Sequence, residues 1–311
     1  MRDKRVAITG GAGFIGSNLA EELAVGNDVI IIDDLSTGGK ENIADLIKRD
    51  NVRFTQGSIL DLRLLEQTFK GIDFAFHQAA LPSVTRSVED PFTTNQVNIT
   101  GTLNVLLAAR NNNVKKVVYA SSSSVYGDTP TLPKTEDMIP NPQSPYALTK
   151  LVGEYYCHIF QQIYDLSTIC LRYFNVYGPK QSADSSYAAV IPLFIDRVAQ
   201  GKPLIIYGDG EQTRDFTFVK DVVKANIIGA ESDASGVFNI GRSENITVNK
   251  LAKTIINLMG KDLQPEYQPL RPGDVKHSLA DISRARAIGY EPQYSLDSGL
   301  REIIKRLSIA G

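Results

Sequence analysis

The chain has 311 residues, 42% of them hydrophobic, with 35 acidic side chains against 33 Lys and Arg and a formal net charge of −2. That length fills two packed lobes, and charges of both signs interspersed along the chain argue against a nucleic-acid tract or a polybasic membrane patch. No apolar run approaches the ~18 residues of a membrane span, and the polar start enters a strand directly, unlike a signal peptide. Cys157 and Cys170 read as buried thiols rather than a disulfide frame. His77, His158 and His277 lack ligand spacing and the cysteines form no C-x-x-C, so no metal site is expected. A soluble, cytoplasmic protein acting on small molecules is expected.

The first strand, Val6-Ala7-Ile8, ends at Thr9 and is followed by Gly10-Gly11-Ala12-Gly13-Phe14-Ile15-Gly16. A helix then runs from Phe14 to Leu23, with Leu19 and Leu23 inward. Gly11, Gly13 and Gly16 fit G-x-G-x-x-G, and Gly10, Gly13 and Gly16 give an overlapping G-x-x-G-x-x-G. A side chain here would block the tight turn, a phosphate or the helix–strand contact. The helix start offers unpaired N–H groups to an anion. Gly10, Gly13, Phe14, Ile15 and Gly16 are therefore assigned to a dinucleotide pyrophosphate. The second strand, Val29-Ile30-Ile31-Ile32, ends at Asp33-Asp34. Asp33 lies 20 residues beyond Gly13, where a carboxylate accepts from adenosine ribose hydroxyls and repels a 2′-phosphate, favouring NAD over NADP. Ser36, Thr37 and Gly38 form a polar turn at the adenosine end.

Further strands are expected at Val52-Arg53-Phe54, Phe74-Ala75-Phe76, Val117-Val118-Tyr119-Ala120 and Thr168-Ile169-Cys170-Leu171, with helices near 62–69, 92–112 and 145–164. This alternation specifies an α/β fold, a Rossmann-type doubly wound parallel sheet. Past residue 175 the pattern loosens into a 179–187 loop, a helix near 188–200, short strands and a helix from about 247. A smaller mixed α/β substrate-binding lobe is expected there. Residues 1–174 plus about 215–243 form the NAD-binding lobe, and about 175–214 and 244–311 the smaller one.

Tyr146 and Lys150 sit four apart on the 145–164 helix and share a face. A free phenol has a pKa of about 10; a neighbouring cation and a positive nicotinamide favour the phenolate and a role as proton acceptor. Ser121-Ser122-Ser123-Ser124 begins directly after the strand expected to end at Ala120, on the edge where open parallel sheets bind ligands. Turn and cap chemistry is the plain alternative for these hydroxyls. Beside a dinucleotide loop, a hydroxyl that bonds a reacting oxygen is the sharper one. The set points to hydride chemistry on an alcohol or ketone.

Four stretches now carry a resemblance: Thr9 to Gly16, Ser121-Ser-Ser-Ser-Val-Tyr-Gly127, Tyr146-x-x-x-Lys150 and Arg172-Tyr-Phe-Asn-Val-Tyr-Gly178. Across nearly its whole length the chain resembles the extended short-chain dehydrogenases that act on nucleotide sugars. Within them it is most similar to UDP-hexose 4-epimerases, including the branch acting on N-acetylated UDP-sugars. That resemblance implies Tyr146 as base, Lys150 on the nicotinamide ribose, and Ser122, with Ser123 as runner-up, on the reacting 4-oxygen. It implies Ser58 and Ile59 at adenine, Ala79 and Asn98 at the middle of the cofactor, and Tyr173 and Val176 near nicotinamide. Asn175, Ala189, Val190, Tyr207, Arg214, Arg271 and Asp274 would hold the UDP, and Ser83 the sugar side. Ser278 takes the family's gating position; its small side chain leaves space for a 2-acetamido group.

The implied reaction is reversible 4-epimerisation of UDP-glucose and UDP-galactose, and of UDP-GlcNAc and UDP-GalNAc, through a 4-keto sugar, with tightly held NAD. Rivals are a UDP-glucuronate 4-epimerase or decarboxylase and a non-catalytic NAD-sensing protein; a 4,6-dehydratase lacks its acidic pair, since Ser123-Ser124 stands there. By the same resemblance the 92–112 and 145–164 helices pair into a four-helix bundle in a homodimer. Val105, Leu106, Ala109, Val152 and Tyr156 serve that interface or the monomer core.

Overall fold

The computed structural model describes residues 1–182, 189–269 and 276–310. Six strands come first: β1 Arg5–Thr9, β2 Asp28–Asp33, β3 Val52–Gln56, β4 Phe74–His77, β5 Lys116–Ser122 and β6 Ser167–Tyr173. Then follow β7 Val176–Tyr177, β8 Ile205–Tyr207, β9 Thr213–Arg214, β10 Thr217–Phe218, β11 Gly236–Ile240, β12 Ile246–Thr247 and β13 Glu266–Gln268. The helices of the first half are α1 Phe14–Leu23, α2 Leu62–Thr68, α3 Val84–Glu89, α4 Pro91–Asn95, α5 Gly101–Asn111 and α6 Pro145–Tyr164. The second half adds α7 Val190–Ala199, α8 Val219–Glu231, α9 Val248–Leu258, α10 Ser283–Ala287 and α11 Leu296–Ala310.

One sheet runs β3–β2–β1–β4–β5–β6–β11, with every neighbour parallel. Chain direction across the sheet reverses between β1 and β4, which opens a crevice at their carboxyl ends. The apolar runs of β1, β2 and β5 are buried because helices cover both faces. Ile8, Leu19, Phe76 and Val118 pack one face; Ala7, Phe69, Val105 and Tyr119 pack the other. A third core, with Phe194, Ile206, Leu251 and Leu300, belongs to the smaller lobe.

Two expectations need adjustment. Strand β5 continues to Ser122, because the ladder with β6 extends through Ser121↔Arg172 and Ser122↔Tyr173; backbone pairing there outweighs the turn preference of serine. The 92–112 helix is α4, a π turn over Gln96–Thr100, and α5. Ala280, Ile282, Ala285 and Tyr290 pack in the core of Ile8 and Phe76, while Phe216 and Phe218 pack in that of Phe194 and Leu251. Of the two places left open for them, Val105, Leu106 and Ala109 take the monomer core, fully buried, whereas Val152 and Tyr156 are half-buried.

Candidate active site

A cavity of about 270 Å³ lies at the carboxyl ends of β1, β2, β4 and β5. Gly10, Gly13, Phe14, Ile15 and Gly16 form one wall. Gly10 has φ +69, and a Cβ there would meet Ala79 N at 2.6 Å; a Cβ on Gly16 would meet Gly10 O at 2.1 Å. The two glycines thus bring the turn, α1 and the β4 edge into direct contact. Gly11 instead packs on Ile31, so the spacing that faces the cavity is Gly10, Gly13, Gly16. No side chain caps the amino terminus of α1, and its first-turn N–H groups open on this wall. A pyrophosphate fits such a cradle. Gly16→Ala is expected to weaken retention of NAD at least ~10-fold by forcing backbone apart, as read by cofactor content after gel filtration.

Asp33 is buried at the end of β2 and lines the cavity with Ser36 and Thr37. Its carboxylate accepts from Ala12 N (2.9 Å) and Leu35 N (2.8 Å), and burial raises its pKa against those bonds. Gly38 packs on Ala12 behind the wall. Ile59 and Ala79 line the cavity. Ser58 does not; its Oγ accepts from Leu60 N at 3.3 Å. Asn98, buried in the π turn, also stands behind: it accepts from Leu81 N (2.8 Å) and donates to Leu81 O (3.2 Å) and Thr149 Oγ1 (3.0 Å). It ties the loop before Pro82 to α6.

Ser144 Oγ caps α6 by accepting from Ala147 N at 3.1 Å, and Pro145 follows at the first helical position. That start places Tyr146 and Lys150 on the cavity. Lys150 Nζ donates to Ala120 O at 2.9 Å and lies 5.9 Å from the Tyr146 ring centre. Burial pulls the Lys150 pKa down to about 8, partly opposed by Glu154. Burial also raises the Tyr146 pKa, opposed by a hydrogen bond from Ser122. The protein's own groups therefore leave the phenol above its ordinary range: desolvation outweighs the Ser122 bond, and the expected pull from Lys150 does not contribute. Ser122 bonds the Tyr146 phenol but does not line the cavity, where Ser121 does; its Oγ accepts from Ser124 N at 3.2 Å. Ser123 begins the short turn after it. His77, by contrast, is a neutral core group: burial and the charge of Lys150 push its pKa down to about 3, and Thr9 and Thr102 hold both ring nitrogens at 2.8 and 2.9 Å.

A second cavity, about 510 Å³, lies in the smaller lobe. Asn175, Val176, Ala189, Val190, Tyr207 and Arg214 line it; Val176 faces this space and not the first cavity. Tyr173, two residues before Asn175, lines the first. Asn175 holds φ 21 and its carbonyl accepts from Thr217 N at 3.2 Å. Ser278 is half-buried, and its N–H donates to Thr213 O at 3.1 Å, beside Arg214. Ser83 is the N-cap of α3, next to the cavity residue Pro82. Arg271 and Asp274 lie outside the described residues. Sequence reasoning missed Gln78 in the first cavity and Arg197 and Gln212 in the second. Gln78 follows a strand end directly, which is a usable signal. Arg197 sits within the apolar period of α7, and only its bond to Pro203 O (2.5 Å) reveals its direction. Among the described residues no cluster of three or more His, Cys, Asp or Glu could hold a metal, and no helix is long and apolar enough to cross a membrane.

The model of the NAD dependent epimerase/dehydratase family matches residues 6–241. A UDP-glucose 4-epimerase of Mycolicibacterium smegmatis is 39% identical over 307 residues, covering 97% of each chain. The solved UDP-N-acetylglucosamine 4-epimerase of Methanobrevibacter ruminantium M1, in complex with UDP-N-acetylmuramic acid, is 44% identical with TM-score 0.97 over 100% of both chains. The UDP-glucuronic acid 4-epimerase of Bacillus cereus, in complex with UDP-glucuronic acid and NAD, is 33% identical with TM-score 0.90, over 99% of this chain and 100% of that one. With the glycine cradle, the uncapped helix and the Tyr146–Lys150 pair at the sheet's switch point, the chain belongs to the NAD-dependent epimerase/dehydratase family.

Proposed function

We propose that this protein is a UDP-hexose 4-epimerase that interconverts UDP-glucose and UDP-galactose and also UDP-GlcNAc and UDP-GalNAc. The observation that carries this is that Tyr146 and Lys150 line a dinucleotide cavity with Ser122 bonded to the phenol, while Asn175, two residues after Tyr173 of that cavity, lines a second one. NAD, when bound, supplies the acceptor and later the donor of the C4 hydride. Tyr146 takes the proton of the sugar 4-hydroxyl while Ser122 holds the same oxygen. Lys150 would hold the nicotinamide ribose. Asn175, Tyr207 and Arg214 hold the UDP, where a guanidinium suits a diphosphate. The 4-ketone would turn about this anchor and regain the proton from Tyr146, and because the hydride taken from C4 would return to it, no net oxidant would be required.

The small Ser278, whose N–H bonds the residue before Arg214, takes the family's gating position, and this supports the N-acetyl substrates. The likeness to the Bacillus cereus enzyme supports a second reading, epimerisation of UDP-glucuronate. To test both, the purified protein is incubated separately with UDP-glucose, UDP-GlcNAc and UDP-glucuronate, and products are resolved by anion exchange. UDP-galactose and UDP-GalNAc are expected. Conversion of UDP-glucuronate alone would transfer the function to the second reading. Binding of NAD without any product would leave a cofactor-sensing protein. Free buried Cys157 and Cys170 support a cytoplasmic setting.

The proposal extends to a homodimer. Helix α6 exposes Leu148, Tyr155, Ile159 and Ile163 at 49, 56, 41 and 67%, one stripe at helical spacing. Phe92 and Val88 lie exposed nearby at 70 and 65%. A patch this apolar suits a two-fold partner presenting the same helices. Ile159→Arg is expected to halve the molecular mass seen by light scattering; an unchanged mass would remove these helices from the interface.

A further inference from the structure

Below the catalytic pair, three elements converge on one buried carboxylate. Glu154 stands four residues after Lys150 and eight after Tyr146, so all three share a face of α6. Its Oε1 accepts from Ser121 Oγ on β5 and from Arg172 Nε on β6 at 2.8 Å; its Oε2 accepts from Arg172 Nη2 at 2.7 Å. Both side chains of the ion pair are only 4% exposed. Ser121 and Arg172 are register partners across β5 and β6, so one carboxylate spans both strand ends and the helix.

The neighbours of these residues are what matter. Ser122 follows Ser121, Tyr173 follows Arg172, and Ala120, held by Lys150, precedes Ser121. The end of β5 is thus fastened to α6 twice in succession, immediately before the residue that meets Tyr146. Stability alone is a weak account of this network. Buried ion pairs are often replaceable by apolar packing without loss, and here Arg172 Nη1 is left buried without a partner. The charges are well held all the same: burial disfavours the Arg172 cation, but the bonds and charge of Glu154 raise its pKa further.

We propose that Glu154 is a positioning residue for the reaction, drawing β5, β6 and α6 together so that the Ser122 hydroxyl and the Tyr146 phenol meet the same substrate oxygen. This rests on the epimerase function proposed above. Catalysis depends steeply on such spacing, whereas the UDP is held in the other lobe, away from the network.

The test uses full-length, NAD-bound protein carrying Glu154→Gln, with Ser121→Ala as the milder variant that removes one strand's bond. Expected for Glu154→Gln is a fall in kcat of about 10–100-fold, with KM for the UDP-sugar and calorimetric affinity for UDP both within about twofold. Ser121→Ala is expected to lose kcat several-fold in the same pattern. Unchanged kcat, or a KM that rises in proportion to any loss, overturns the proposal. If Glu154→Gln does not fold, Ser121→Ala decides by the same criteria. Absence of turnover in the unmodified protein would instead overturn the epimerase function, so the two failures are distinct.

Discussion

Tyr146→Phe is expected to lower epimerase turnover by about 10³-fold, within the range typical of a general acid–base group. The ring that lines the cavity is retained, and only the phenol oxygen met by Ser122 is lost. NAD content and UDP affinity should therefore stay near those of the unmodified protein, with the loss confined to kcat. The measurement is product formation from UDP-glucose and UDP-GlcNAc beside calorimetric titration with UDP. A variant that turns over as fast as the parent would remove Tyr146 from the chemistry. Because the protein's own groups raise the phenol's pKa, a bound cationic nicotinamide is the remaining source of a downward pull.

The largest effect on stability is expected at Asp215, next to Arg214 and fully buried. Its Oδ1 accepts from Arg242 N at 2.8 Å, and its Oδ2 from Ser243 N at 3.0 Å and Ala280 N at 3.1 Å. One carboxylate thus joins β9, the end of β11 and the segment that carries Ser278. Asp215→Ala strands three backbone donors at about 1–3 kcal/mol each, for a net loss of roughly 3–5 kcal/mol once relaxation is allowed. A melting temperature lower by roughly 10 °C follows, measurable by calorimetry. A drop under ~2 °C would show that water takes over the three bonds.

The pH dependence of this residue has a definite sign. Burial pushes its pKa up to about 6 from 3.8, against the three N–H bonds. Between those values the folded chain binds more protons than the unfolded one, so this group's contribution to stability falls as pH rises from about 4 to about 6 and is flat above. The destabilisation by Asp215→Asn, which does not titrate, should accordingly be larger near pH 4.5 than at pH 7.

The local part of this protein was legible in its sequence. Gly10, Gly13 and Gly16 mark a turn that only residues without side chains allow, and the 3.6-residue helical period puts Tyr146 and Lys150 on one face. Strand–helix alternation up to residue 175 specified the parallel sheet, because apolar runs and their spacing are short-range signals. Tertiary structure decided what depends on contacts between distant segments. Glu154 meets Ser121 and Arg172 across 33 and 18 residues, and Asp215 reaches Ala280 across 65; nothing in the intervening chain announces either. The extension of β5 to Ser122 came from its ladder with β6, and the burial of Val105, Leu106 and Ala109 from packing against the sheet. The elevated Tyr146 pKa is likewise a property of its surroundings, since desolvation depends on what covers a group and not on which residues precede it.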